Sequence, residues 1–237
     1  MNPRSLFLFL IKPNIPISNE HLDLKHTFYN IIQGYLLTLF FIFIIALTIG
    51  MPLKLMGLIP PRKIIVTPSI QNIFLMSIIG PIIEELIFRL PLRYKPQYII
   101  ISLSLFLFLI GRKLIGIEIV SVIVFINIGV LYYFFYIKKS LNLNSKFNNF
   151  WAEHFSFVFY FYTLSFGLLH ISSYTNMIWV HYILAPFIVS VQLVMGAFVG
   201  YIRVRYNTGV FIAITIHILL NGGTCLIAIV TKSSSIL

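Results

Sequence analysis

The amino-acid sequence predicts an all-α fold, a polytopic transmembrane helical bundle of about seven spans. Three observations carry that expectation. Of 237 residues, 59% are hydrophobic and only 10% charged, against roughly 25% charged in an ordinary soluble domain. Apolar runs approaching the ~20 residues needed to cross a bilayer recur along the chain. Lys and Arg outnumber Asp and Glu 17 to 6, a net charge of +11, and cations between apolar runs are the usual topogenic charges of a membrane protein. The same numbers exclude a soluble enzyme, which could not hide 23 Phe and 13 Tyr behind so few charges. They exclude a disordered chain as well. A single cysteine allows no internal disulfide and no Cys-based zinc site. The expected partner is the lipid bilayer; the basic excess requires no nucleic acid.

The elements follow in order. Residues 1–27 read as an N-terminal interfacial segment, because the run Leu6 to Ile11 is too short for a signal sequence and Lys12-Pro13 offers no small-residue cleavage site. Residues 28–230 read as one transmembrane domain and 231–237 as a C-terminal tail. Phe28 to Gly50 is a first span, followed by a polar, Pro-rich connector as far as Pro68. Gln71 to Leu90 is long enough to cross but carries Pro81, Glu84, Glu85 and Arg89. Tyr98 to Ile110 has 13 residues and is either a short span or a re-entrant piece. Leu114 to Ile137 spans, and the Asn- and Lys-rich stretch Lys138 to Asn149 connects it to Phe155–Ile171. Met177 to Val204 spans, and Arg203, Arg205 and Asn207 mark a turn into Gly209 to Val230. Seven crossings with the N-terminus inside put ten Lys/Arg on the inner side and six on the outer. If Tyr98 to Ile110 does not cross, six lie inside and eight outside with Arg112 and Lys113 left out of the count, so charge favours seven.

Chemistry is concentrated in a few polar residues on apolar segments. A charge at the centre of a membrane helix costs ~2.5–3.5 kcal/mol on insertion scales, so an ionisable residue there is a functional candidate. Glu85 and Arg89, one turn apart, form a structural ion pair in the favourable orientation. Glu84 sits about 140° around the helix from Arg89 and is left over, as suits a proton-transferring group. His170 and His217 lie inside apolar runs, with Phe166 and Asn221 at helical spacing. His21, His26 and His154 read as interfacial, and His181 as a packing residue. Glu118 lies near Arg112 and Lys113 at a helix end, where an interfacial role suffices.

These residues form three ordered motifs: Glu84-Glu85-Leu86-Ile87-Phe88-Arg89 as EExxxR, Phe166 to His170 as FxxxH, and His217 to Asn221 as HxxxN. On apolar segments in this order, they resemble the CAAX-protease and bacteriocin-processing family of intramembrane endopeptidases, which includes the type II CAAX prenyl endopeptidases. The approach Gly80-Pro81-Ile82-Ile83 and the stretch ending in Tyr206-Asn207-Thr208-Gly209 are similar too, so the resemblance runs from about Gln71 to Gly222. One departure is the interval of about eighty residues between Arg89 and His170, where the family places the two motif helices in closer succession. An inserted pair of spans would preserve their relative direction. Depth agrees less well: in a ~30 Å core, Glu84 falls roughly 9 Å from the inner boundary and His170 roughly 22 Å.

The resemblance implies Glu84 as the base that activates a water, His170 as a helper that orients it, and His217 and Asn221 as donors to the oxyanion. It implies a membrane-associated peptide or protein as substrate, and a multi-pass protein in the cytoplasmic membrane of a prokaryote. Members are also described as metalloproteases, and Glu84, His170 and His217 together are a candidate donor set for a divalent metal such as zinc. Metal-dependent and metal-free chemistry both stay open. The chain contains neither HExxH nor GxSxG. Two rival readings are a non-proteolytic immunity or scaffold protein of the same fold and an ion-coupled transporter using Glu84 and Glu118.

Overall fold

Prolines and aromatic pockets set where the helices break and how they meet. The structure, a computed structural model, describes residues 3–15, 23–62, 69–114, 116–133, 136 and 141–234. Among these there is no strand, only an isolated bridge between Arg62 and Tyr174. Helix α1 (Pro3–Ile11) is followed by α2 (Leu24–Ile45), which runs through a π-helical turn at Ala46–Gly50 into α3 (Met51–Leu55). A second π-turn, Leu75–Ile79, joins α4 (Ile70–Phe74) to α5 (Gly80–Phe88). Then come α6 (Pro96–Leu114), α7 (Ile117–Tyr132), α8 (Leu141–Glu153) and α9 (Phe155–Leu169). The short α10 (Trp179–Ile183) and α11 (Ala185–Ile188) precede α12 (Ser190–Arg205) and α13 (Gly209–Ser234).

Among the described residues, three helices are long and apolar enough to cross a membrane: Leu24–Leu55, Phe155–Ser173 and Gly209–Ile227. Pro96–Gly111 and Ile117–Tyr132 are apolar but shorter. Phe125, Trp179 and many other large apolar side chains remain exposed, a surface unlike that of a soluble monomer. Two expectations change. Met177 to Val204 is not one helix, because the chain is reset near Pro186 and only α12 continues unbroken. The stretch expected as a polar connector is helical from Leu141 onward. His21 and residues 63–68, 137–140 and 235–237 lie outside the described residues.

Helix α12 is the central strut, with α1, α2, α9 and α13 packed around it. Helix α1 buries Leu6 and Phe9 and leaves Phe7, Leu8 and Ile11 exposed. The Phe9 ring sits 5.0 Å from Phe159 and 5.1 Å from Tyr201, edge-on to both. Helices α6 and α7 form a hairpin against α5, with Tyr136 Oη donating to Gln97 Oε1 at 2.8 Å near its open end.

The end of α5 is sunk in this bundle. Leu90, Pro91 and Leu92 continue it as a buried 3₁₀ turn, where every carbonyl needs a donor. Pro91 has no N–H to give Ile87, and Ser102 Oγ of α6 donates to the Ile87 carbonyl instead, at 2.6 Å. Arg203 of α12 donates to the carbonyls of Arg89 and Leu90 at 3.1 and 3.2 Å. Trp151 Nε1 of α8 donates to that of Pro91 at 3.0 Å. The Phe88 ring therefore lies beside Phe166, 5.6 Å between centroids, eleven residues into α9. With that offset Glu84 and His170, which the sequence arithmetic set at different depths, line one cavity.

Candidate active site

The three motifs converge where α5, the C-terminal end of α9, α12 and α13 meet. Adjacent residues on a helix point about 100° apart, so Glu84 and Glu85 have different neighbours. Glu85 is fully buried. Its Oε2 lies 3.5 Å from Arg89 Nε, the pairing that the i, i+4 spacing predicts. Its Oε1 lies 2.9 Å from His217 Nδ1. An ionised carboxylate only accepts, so Nδ1 carries the hydrogen. The opposite nitrogen, Nε2, is thereby turned to Glu84, 3.6 Å from its Oε2. Glu85 thus orients the histidine that faces Glu84, in addition to pairing with Arg89.

Arg89 is buried with Nη1 and Nη2 lacking hydrogen-bond partners. Its guanidinium carbon lies 3.8 Å from the centroid of the Phe166 ring, and the negative face of that ring offsets the charge. Phe166 is the hub of the site, edge-on to His170 at 4.8 Å and to His217 at 5.9 Å. A glycine makes this approach possible: a Cβ at Gly196 would stand 3.1 Å from the Phe166 ring and 3.2 Å from Arg89 Nη2.

His170 caps α9, with Nδ1 2.9 Å from the Phe166 carbonyl. A carbonyl can only accept, so Nδ1 carries the hydrogen and Nε2 is left as an acceptor. Asn221 is held by the irregular start of α5. The Gly80 N–H reaches back five residues to the Leu75 carbonyl, and Pro81 has no N–H. The Met76 carbonyl is thus without a helical donor, and Asn221 Nδ2 donates to it at 3.2 Å. The second Nδ2 hydrogen of Asn221 remains for another acceptor.

A cavity of about 560 Å³ opens on this cluster, lined by Glu84, His170, His217 and Asn221 together with Gln192 and Cys225. A second hollow of about 400 Å³, walled by Phe106, Leu109, Ile110 and Leu169, shares Glu84, His170 and Ser173 with it. Glu84 Oε2 is buried and unpartnered. Among the described residues no three His, Cys, Asp or Glu side chains are grouped to hold a metal ion. The Nδ1 atoms of His170 and His217 are both taken by protein acceptors, which leaves Nε2 of each ring as its free donor atom, but Glu84, His170 and His217 are not gathered around one point as a zinc site requires.

The remaining titratable groups lie elsewhere. His26 pairs with Asp23 at 2.7 Å at the start of α2, and the hydrogen bonds from His26 hold the Asp23 carboxyl below its usual range. The His154 ring stacks edge-on to Phe150. His181 Nδ1 accepts from the Ile178 N–H at 3.1 Å and caps α10. Glu118 stands in the first turn of α7. Sequence reasoning passed over Gln192, a lone amide in an apolar segment. The rule that flagged Glu84, polar groups being costly in a span, would have found it. Comparison with models of known families, with curated proteins and with solved structures finds no match.

Proposed function

We propose that the chain is an intramembrane endopeptidase, a multi-pass protein of a prokaryotic cytoplasmic membrane that hydrolyses a peptide bond of a membrane-associated protein or peptide. The observation that carries this reading is the Glu84 carboxylate set 3.6 Å from His217 Nε2 beside a cavity, with His217 held from behind by Glu85 and Arg89. The ordered motifs, which resemble those of the CAAX-protease and bacteriocin-processing family, support it independently.

In this mechanism a water enters the cavity between Glu84 and His170. His170 Nε2 accepts one of its hydrogens and aims its lone pair at the scissile carbonyl. Glu84 takes the other proton as the C–O bond forms. The oxyanion of the tetrahedral intermediate accepts from the second Nδ2 hydrogen of Asn221 and from His217 when its Nε2 is protonated. Collapse breaks the C–N bond, and Glu84 returns the proton to the leaving amine. Glu85 and Arg89 keep the imidazole in one orientation throughout, and no step uses a metal.

The test is a comparison of membrane proteins from cells making the wild type or Glu84→Gln at equal abundance. New N-termini within or beside membrane segments are expected only with the wild type. Identical sets of N-termini would contradict the proposal and favour a non-proteolytic scaffold.

A further inference from the structure

Two polar atoms around the larger cavity are buried without any hydrogen-bond partner: Glu84 Oε2 and Gln192 Oε1. The first belongs to the base. The second has no role in the chemistry above. Asn221, Thr224 and Arg62, also in the lining, are engaged within the protein. Asn221 donates to Met76, Thr224 Oγ1 to the Asn221 carbonyl at 2.8 Å, and Arg62 to Tyr174 Oη at 3.3 Å. A buried amide oxygen with no donor is costly, and such atoms are rare in native interiors. Gln192 lies one turn before Met195 and Gly196 on α12, the rigid central strut. Its Oε1 is therefore an acceptor awaiting a donor from outside the protein.

We propose, on the strength of the endopeptidase reading, that Gln192 is a substrate-positioning residue whose Oε1 accepts a main-chain N–H of the bound peptide next to the scissile bond. The chemistry selects this donor. The cavity wall is otherwise mainly apolar, with Leu39, Ile42, Leu75, Val191, Met195 and Leu220, so the accommodated segment is apolar and its available donors are backbone N–H groups. An acceptor for a backbone N–H at this point sets the register of the peptide against Glu84 without reading side chains, and misplacement by ~1 Å is expensive for catalysis.

The test reads binding and needs no cleavage. Cys225, the only cysteine of the chain, lines the same cavity, so its alkylation by N-ethylmaleimide reports occupancy. Full-length Glu84→Gln protein in liposomes is titrated with a capped apolar octapeptide of Leu, Ile, Phe and Ala. It is then titrated with analogues in which one backbone N–H at a time is replaced by an ester oxygen. The peptide is expected to protect Cys225, with one ester position weakening protection about tenfold. Adding Gln192→Met, which keeps length and volume but accepts poorly, is expected to weaken the parent peptide by the same factor and to abolish sensitivity to that position. Absence of protection, equal protection by all esters, or unchanged ester sensitivity in Gln192→Met would each overturn the proposal. If these binding results hold while the wild type leaves every peptide intact, the endopeptidase reading fails and the assignment of Gln192 as a peptide-backbone acceptor stands.

Discussion

Glu85 and Glu84 show how far neighbouring residues of one type diverge once a helix turns them apart. Glu85→Gln leaves Arg89 buried without a counter-charge, and breaking such a pair costs about 3–5 kcal/mol. Glu85→Gln protein is thus expected to accumulate poorly and to melt lower. Adding Arg89→Gln should restore part of the melting temperature, since neither charge is then left alone. Thermal denaturation of the purified variants checks both outcomes. His217→Ala and Asn221→Ala each remove a proposed oxyanion donor and should lower turnover per folded molecule about a hundredfold or more. They also leave Glu85 Oε1 and the Met76 carbonyl without their donors, so yield should fall too. His181→Ala removes only a local cap and should leave turnover unchanged, as kinetics on the three purified variants would reveal. The identities of Glu84, Glu85, Arg89, His170, His217 and Asn221 were legible in the sequence because polar groups stand out on apolar helices. The hydrogen bond between His217 and Glu85 was not, since 132 residues separate them and helical spacing speaks only of near neighbours.

Prolines explain the elements that deviate from plain helix. Both π-turns run up to a proline, Ala46–Gly50 before Pro52 and Leu75–Ile79 before Pro81. In each the i to i−4 ladder is already broken by the missing N–H. The buried end of α5 survives because Ser102, Arg203 and Trp151 supply donors in place of backbone. Ser102→Ala is accordingly expected to leave the Ile87 carbonyl unsatisfied and cost about 1–3 kcal/mol. A melting curve of that variant should shift down, whereas Ser121→Ala, on an exposed face of α7, should barely move it. The prolines were visible in the sequence, and so were the long apolar helices. The helix at Leu141–Glu153 was missed because its Asn and Lys content signals a loop, while its packing partners, Tyr94 and Pro91, lie some fifty to sixty residues away.

At the scale of the whole molecule, side-chain contacts gather several cationic segments at one end of the bundle. Arg93 donates to Asn207 at 2.8 Å and to the Val204 carbonyl at 2.6 Å. Tyr94 donates to Asn144 at 2.9 Å. The connector after α5, the start of α8 and the turn between α12 and α13 therefore lie together, and α6 with α7 leaves that end and returns to it. The seven-crossing expectation from the sequence would put all three on the cytoplasmic side. A thiol introduced by Asn148→Cys in a Cys225→Ala background should resist an impermeant maleimide in intact cells and react after lysis. Labelling from outside would contradict that orientation. The central claim is narrower than topology: the carboxylate of Glu84 activates the water that cuts a peptide bond. Its most direct test is the initial rate of substrate cleavage by purified wild type and Glu84→Gln in liposomes, normalised to folded protein. A fall of about a hundredfold or more at an unchanged melting temperature is the predicted result, and a Glu84→Gln protein that cleaves at the wild-type rate would contradict it.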